Sequence, residues 1–184
     1  MKTREALDQI TYLQELITQT RLRAADGYPY FLLWGVLWIL GYISSIWLSH
    51  LVWLVIGPVG GVLSIVPRFT RKKGQSAPPL LKKLGWLMMI LFLYVGFLFY
   101  QLLTISQNIQ LLNSYWPFHI GLLYIAAGIF VGRQIILIGG WLILVALIGI
   151  SLPFPFQAIW LAVSGGGGLL FTGFFFRKHV IKDE

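Results

Sequence analysis

The chain contains no cysteine among its 184 residues. This absence excludes disulfides, thiolate nucleophiles, Cys-ligated zinc and iron–sulfur centres. Charge is also scarce, because 11% of the residues are charged, whereas a soluble domain carries about a quarter. With 58% hydrophobic residues and a mean hydropathy of +0.79, the sequence predicts an integral membrane protein.

The apolar segments contain no clearly internal Asp, Glu, Lys or Arg, since Arg133 lies at a turn between two of them. Charged residues inside a membrane are costly and usually mark ion paths, proton relays or counter-ions. Their absence argues against proton-coupled export, rhodopsin-like chemistry and voltage sensing. No catalytic, metal or nucleotide motif is present either, and we therefore expect a non-enzymatic protein without a cofactor.

Six segments approach the roughly 20 apolar residues that a membrane-spanning helix needs. The sequence predicts an all-α, polytopic bundle of six transmembrane helices over residues 28–176, preceded by a cytoplasmic helix (1–27) and followed by a short tail (177–184). The second and fourth spans are short, so whether they cross fully is left open. The predicted spans are 28–48, 51–67, 85–105, 117–132, 134–152 and 157–176.

The basic residues predict which way the bundle faces, because Lys and Arg near spans are enriched on the cytoplasmic side. With the N-terminus inside, all 14 basic residues fall on the cytoplasmic side. Six of them fill the loop 68–84, and the outer connections carry no formal charge. We therefore expect a multi-pass protein of the cytoplasmic membrane with both termini in the cytoplasm.

The first 27 residues have the pattern of an amphipathic helix. Leu7, Ile10, Leu13 and Ile17 recur at spacings of three, four and seven residues, which is the helical period. Acidic residues lie near its start and basic ones near its end, as the helix dipole favours. This face suits a cytosolic protein partner, the lipid surface or a second copy of the chain.

Small residues recur at the spacing that allows helices to approach closely. Gly57 with Gly61 and Gly128 with Gly132 form G-x-x-x-G pairs, and Ala162 continues the pattern in the last span. They indicate either homodimerisation or packing within the bundle. The run 164–168 contains four consecutive glycines, which indicates close packing or an unwound segment at a binding site.

Several aromatic residues could line an apolar cavity of the kind that binds small ligands. The candidate set is Trp34, Trp38, Tyr42, Trp141 and Gly166.

His50 and His119 are both assigned to the outer side of the membrane. We expect no metal site there, because stable zinc sites need three or four ligands.

The loop residues Arg68, Arg71, Lys72 and Lys73 form a basic cluster. Such clusters next to a membrane attract anionic lipid head groups, and we expect this role rather than binding of nucleic acid.

In size and span count the chain is similar to the substrate-binding membrane subunits of energy-coupling-factor vitamin transporters. It departs from them in its leading amphipathic helix and in lacking their Ala-x-x-x-Ala pattern in the first span.

Two functions remain open from the sequence. The first is a membrane anchor, scaffold or regulatory subunit, dimeric or not, whose N-terminal helix and basic loop engage a cytosolic partner or the lipid surface. The alternative is a binding or transport subunit for a largely apolar small molecule. The first is favoured because every formal charge is assigned to the cytoplasmic side.

Overall fold

The computed structural model describes residues 7–12, 14–15, 27–48, 50–64, 79–105 and 108–180, and these residues form helices without strands. A 3₁₀ turn, His50–Val52, follows the helix Tyr28–Leu48. A π-helical segment, Leu161–Gly166, joins the helices Phe156–Trp160 and Gly167–Val180 into one continuous helix over residues 156–180, called the C-terminal helix below. The α-helices that follow residue 27 are α1 (Tyr28–Leu48), α2 (Trp53–Leu63), α3 (Pro79–Ile105), α4 (Ile109–Val131), α5 (Arg133–Ile150), α6 (Phe156–Trp160) and α7 (Gly167–Val180).

Five helical segments are long and apolar enough to cross a membrane. They lie in α1, α3, α4, α5 and the C-terminal helix. The predicted span 51–67 contains the 11-residue helix α2, which is about 16 Å long and therefore shorter than the roughly 30 Å hydrocarbon core. Residues 65–67 lie outside the described part of the chain. The count of six spans is therefore not confirmed.

Helix α2 nevertheless runs antiparallel to α1. Trp53, at the start of α2, packs its ring against Tyr42 near the end of α1, with centroids 4.9 Å apart. Ser64, just after α2, accepts a hydrogen bond from the indole of Trp34 at 3.1 Å. Since Trp34 is six residues from the start of α1, α2 returns to within about 9 Å of the level of Tyr28.

Helix α4 begins at Ile109, eight residues before the predicted start at Pro117. Asn108 caps it, because its side-chain oxygen accepts from the backbone N–H groups of Gln110 and Leu111 at 3.0 and 3.2 Å. Such a cap satisfies backbone donors that have no partner inside the helix. Pro117 lies inside the helix and is buried.

The other boundaries differ less from the predicted ones. Helix α3 begins at Pro79 instead of residue 85, and α5 covers Arg133–Ile150 where 134–152 was predicted. The C-terminal helix covers residues 156–180, so Arg177 and Lys178, which were assigned to the tail, are helical.

Helices α4 and α5 form a tight antiparallel hairpin with one residue, Gly132, between them. Gly132 has φ of 141°, a conformation that side chains with a Cβ rarely adopt. A Cβ atom added to Gly139 would lie 2.5 Å from the carbonyl oxygen of Gly121, and one added to Gly128 would lie 2.7 Å from the nitrogen of Ile136. Glycine is therefore what allows the two backbones to touch.

Helix α1 packs on the C-terminal helix in the same manner and in antiparallel orientation. A Cβ on Gly35 would lie 2.9 Å from the carbonyl oxygen of Gly166, and a Cβ on Gly173 would lie 3.0 Å from the backbone nitrogen of Leu32. The fully buried side chains of Leu142, Val145 and Leu161 complete the core where α5 meets these helices.

Helix α3 lies at the periphery. Within residues 85–102, Val95 is the one buried residue, and large apolar side chains such as Trp86, Ile90 and Tyr100 are exposed. In a membrane these faces meet lipid, so their exposure carries no hydrophobic cost.

Of the N-terminal segment, residues 7–12 and 14–15 are described, and they are α-helical. Leu7, Ile10 and Tyr12 are exposed there. Leu13 and Ile17, which belong to the predicted apolar face, lie outside the described residues. The amphipathic helix is therefore not confirmed over its predicted length.

Candidate functional site

Of the five residues predicted to line a ligand cavity, Trp38 and Tyr42 of α1 and Gly166 of the C-terminal helix lie where these two helices pack. Trp38 is 6% and Tyr42 2% exposed, and their rings meet edge to face with centroids 6.0 Å apart. A Cβ added to Gly165 would lie 3.2 Å from the Trp38 ring. Gly166 is buried against the backbone of α1. Side chains thus fill this part of the interface.

Trp141 and Trp34 lie away from that centre. The Trp141 indole donates a hydrogen bond to the Ser164 carbonyl in the π-helical segment at 2.9 Å, and its side chain is 44% exposed. The Trp34 indole points to Ser64 after α2. The five predicted residues therefore do not converge on one space, and their role as a ligand site stays a prediction.

The glycine run has a different environment at each position. Gly165 and Gly166 contact α1, and a Cβ on Gly168 would lie 2.7 Å from the Trp141 indole nitrogen, whereas Gly167 has open space around it. Three of the four glycines thus border a neighbouring side chain or backbone. Ser164 to Gly166 belong to the π-helical segment, a rare geometry that frequently occurs near functional sites.

The small residues predicted for packing or dimerisation also separate into two groups. Gly57 and Gly61 on α2 have no atom within 4 Å of an added Cβ. Gly128 faces α5, Gly132 forms the turn, and Ala162 is fully buried. The latter three act within the chain, and homodimerisation through Gly57 and Gly61 stays a prediction.

A buried polar cluster joins the start of the C-terminal helix to the start of α4. Gln157, at the start of the C-terminal helix, is fully buried. Its amide nitrogen donates to the Gln110 carbonyl at 2.7 Å and to Ser114 Oγ at 3.1 Å, and its amide oxygen accepts from Asn113 at 3.2 Å. The sequence interpretation missed this cluster, because residues 106–116 were read as a loop between spans.

Tyr42 joins the same cluster through the backbone of α4. Pro117 has no N–H group, so the carbonyl of Asn113, four residues earlier, lacks its helical hydrogen bond. The Tyr42 hydroxyl donates to that carbonyl at 3.0 Å. Neighbouring helices commonly satisfy backbone groups freed by proline inside membrane helices.

His119 lies in the middle of α4, whereas the predicted span 117–132 placed it two residues after the start of its helix. Ten residues, or about 15 Å, separate it from the start of the helix at Ile109. Its ring stacks on Tyr115 with centroids 3.9 Å apart and meets Phe118 edge-on at 5.4 Å. The Tyr115 carbonyl lies 2.9 Å from Nδ1.

The Tyr115 ring beneath His119 is anchored to the peripheral helix. Its hydroxyl donates to the Val95 carbonyl of α3 at 2.7 Å. Phe99 of α3 packs against Tyr115 and Trp116, with centroids 5.2 and 5.0 Å away. These rings form the contact between α3 and α4, and His119 lies one helical turn beyond them.

Three basic residues of the bundle whose side chains the structure describes lie at the opposite end from the polar cluster. Arg133 follows the α4–α5 turn, and Arg177 and Lys178 follow Phe176, whose ring packs 5.6 Å from Phe31 near the start of α1. All three basic side chains are exposed. The loop residues Arg68, Arg71, Lys72 and Lys73 lie outside the described part of the chain.

Among the residues that the structure describes, no group of three or more His, Asp or Glu side chains lies close enough to hold a metal ion. Comparison with protein-family models, with curated proteins and with solved structures finds no significant match to this chain. Its function must therefore be argued from its own residues.

Proposed function

We propose that this chain is a non-enzymatic scaffold or regulatory subunit of the cytoplasmic membrane. Its packed bundle anchors it, and its N-terminal segment engages a cytosolic partner or the lipid surface. The observation that carries the proposal is the exposed apolar side chains of that segment, set beside a bundle whose predicted ligand-cavity centre is filled by Trp38 and the backbones of Gly165 and Gly166.

The proposed orientation rests on charge. Residues 27–182 contain ten of the 14 basic residues and none of the six acids. The three described basic side chains among them lie at the end of the bundle where α1 begins. Because positive charge favours the cytoplasmic side, this end faces the cytoplasm, and the polar cluster around Gln157 lies towards the outside.

Helix α2 fits this orientation despite its length. It runs back along α1 and ends with Ser64 beside Trp34. The chain therefore leaves α2 on the side where α1 begins, and the basic residues 68–83 follow in the sequence. We propose six passes in total, the second of them through a helix shorter than the hydrocarbon core.

The N-terminal segment supplies the contact surface. Leu7 and Ile10 are 59% and 52% exposed, and exposed apolar side chains on the aqueous side of a protein commonly mark interaction sites. Residues 1–26 hold four basic and four acidic side chains. Such a charge balance suits a protein groove better than pure lipid adhesion, for which basic residues dominate the polar face.

The test is co-purification from cells in mild detergent with Leu7→Ser/Ile10→Ser and, as the control on the same exposed segment, Gln9→Ser. We expect the intact chain and Gln9→Ser to retain a specific cytosolic protein, and the double variant to lose most of it. Equal recovery of that protein with all three chains, or recovery of none with the intact chain, contradicts the cytosolic partner and leaves the lipid surface as the proposed contact.

A further inference from the structure

His119 is a histidine close to the middle of a candidate membrane span. The helical segment Gln110–Val131 is long and apolar enough to cross, and His119 lies about 15 Å from the start of α4. That depth is about half of a hydrocarbon core of roughly 30 Å. Polar ionisable residues at such depth are rare and usually functional.

The hydrogen bond of Nδ1 fixes the tautomer of the ring. A carbonyl oxygen can only accept, so the 2.9 Å contact with the Tyr115 carbonyl requires Nδ1 to carry the proton. In the neutral imidazole the other nitrogen, Nε2, is then a hydrogen-bond acceptor. The stacked Tyr115 ring holds this orientation, and Tyr115 is itself bonded to Val95 of α3.

Among the described residues, the His119 ring makes its hydrogen bond through Nδ1. Nε2 has no hydrogen-bond donor in that part of the chain. Within the same part of the chain, no enclosed side-chain nitrogen or oxygen lacks a partner. Nε2 therefore opens to the surroundings of the bundle. At mid-span those surroundings are hydrocarbon, where an unpaired polar group is costly because water is absent.

We propose that His119 is a binding site for a membrane-dissolved molecule with an aromatic hydroxyl head and an apolar tail, the chemistry of a hydroquinone or a phenol. The hydroxyl donates to Nε2. The head packs on Phe118 and the neighbouring rings, since aromatic pairs favour edge-on and offset contacts. The tail lies along the lipid-exposed side of the bundle. The site rests on the membrane placement proposed above but not on the cytosolic partner.

The test compares two probes that share a ring and tail, decylubiquinol and decylubiquinone, binding to the full chain in nanodiscs. Only the first can donate a hydroxyl. We expect it to bind about fivefold more tightly, the value of one net hydrogen bond. His119→Phe is expected to bring the ratio of the two affinities to about one, whereas His50→Phe, the same change elsewhere, leaves it unchanged. Equal affinities for the intact chain, or an unchanged ratio in His119→Phe, overturn the site.

A second measurement on the intact chain covers the case in which His119→Phe does not fold. With ¹⁵N-labelled histidine, decylubiquinol should shift the Nε2 resonance of one of the three imidazoles, and decylubiquinone should leave it in place. The same resonance must persist in His50→Phe. If no imidazole resonance responds to the hydroquinone, the proposal is wrong, whatever the N-terminal segment binds.

Discussion

Helices α4 and α5 meet backbone to backbone, whereas α3 touches the bundle through a few aromatic rings. Both regions contain glycine. In the hairpin, Gly121, Gly128 and Gly139 each face the backbone of the neighbouring helix, while Gly85 and Gly96 of α3 have no atom within 4 Å of an added Cβ. Glycine content alone therefore does not indicate where membrane helices pack. What matters is whether a glycine lies against the backbone of a neighbouring helix.

The largest effect is expected from Gly139→Ala in the hairpin. Its new Cβ would lie 2.5 Å from the Gly121 carbonyl oxygen and 2.8 Å from the Ile125 nitrogen, so the backbones must separate. We expect the free energy of unfolding to fall by about 3 kcal/mol, measured by titration with sodium dodecyl sulfate in mixed micelles.

The adjacent Gly140 offers a matched control, since nothing lies within 4 Å of its added Cβ. Gly140→Ala should be neutral or stabilising by up to about 1 kcal/mol, because alanine is the better helix former. If the two variants are equally stable, close contact between the α4 and α5 backbones does not explain why glycine stands at position 139.

A smaller effect is expected from Tyr42→Phe in the polar cluster. The variant keeps the ring but leaves the Asn113 carbonyl, which Pro117 deprives of its helical donor, without a partner. We expect a loss of about 1 kcal/mol in the same unfolding titration.

Pro117→Ala provides the control for that interpretation by restoring a backbone N–H to the Asn113 carbonyl. In the Pro117→Ala background, Tyr42→Phe should lower the free energy of unfolding by less than half as much as it does in the intact chain. An undiminished cost would show that the hydroxyl acts on something other than the carbonyl freed by proline.

The smallest effect on global stability is expected from Tyr115→Phe at the peripheral helix. It removes the 2.7 Å hydrogen bond to the Val95 carbonyl, worth about 0.6 kcal/mol inside a membrane. Hydrogen exchange should quicken in α3 while the α4–α5 hairpin is unaffected. Tyr100→Phe, at an exposed position of α3, is the control, and equal exchange in both variants contradicts the attachment described here.

The sequence predicts the helical class and the apolar segments, because hydropathy reports the average polarity of a window. It does not predict the start of α4. Gln110, Asn113 and Ser114 resemble loop residues in a hydropathy profile, but the side chains of Asn113 and Ser114 and the backbone carbonyl of Gln110 pair with Gln157 from another helix. Such pairing depends on three-dimensional contacts, and because it was missed, His119 was placed near the start of its helix instead of the middle.

The same limit applies to the candidate sites. The spacing of Gly57 and Gly61 within one helix is visible in the sequence, yet both have open space around them. The contact between Gly121 and Gly139 joins two helices and has no signature in either one alone. The aromatic residues Trp34 and Trp141 are separated in the fold. The sequence did not predict this separation, because hydropathy does not report which face of a helix each residue occupies.

Both proposals depend on the proposed membrane topology, and cysteine labelling tests it most directly. The chain has no cysteine, so Gly74→Cys in the basic loop and Ser151→Cys after α5 would each be the sole thiol. A membrane-impermeant maleimide should label Gly74→Cys only in inverted vesicles and Ser151→Cys only in right-side-out vesicles. Labelling of both from the same side would contradict the alternating arrangement, and with it the cytoplasmic placement of the basic end.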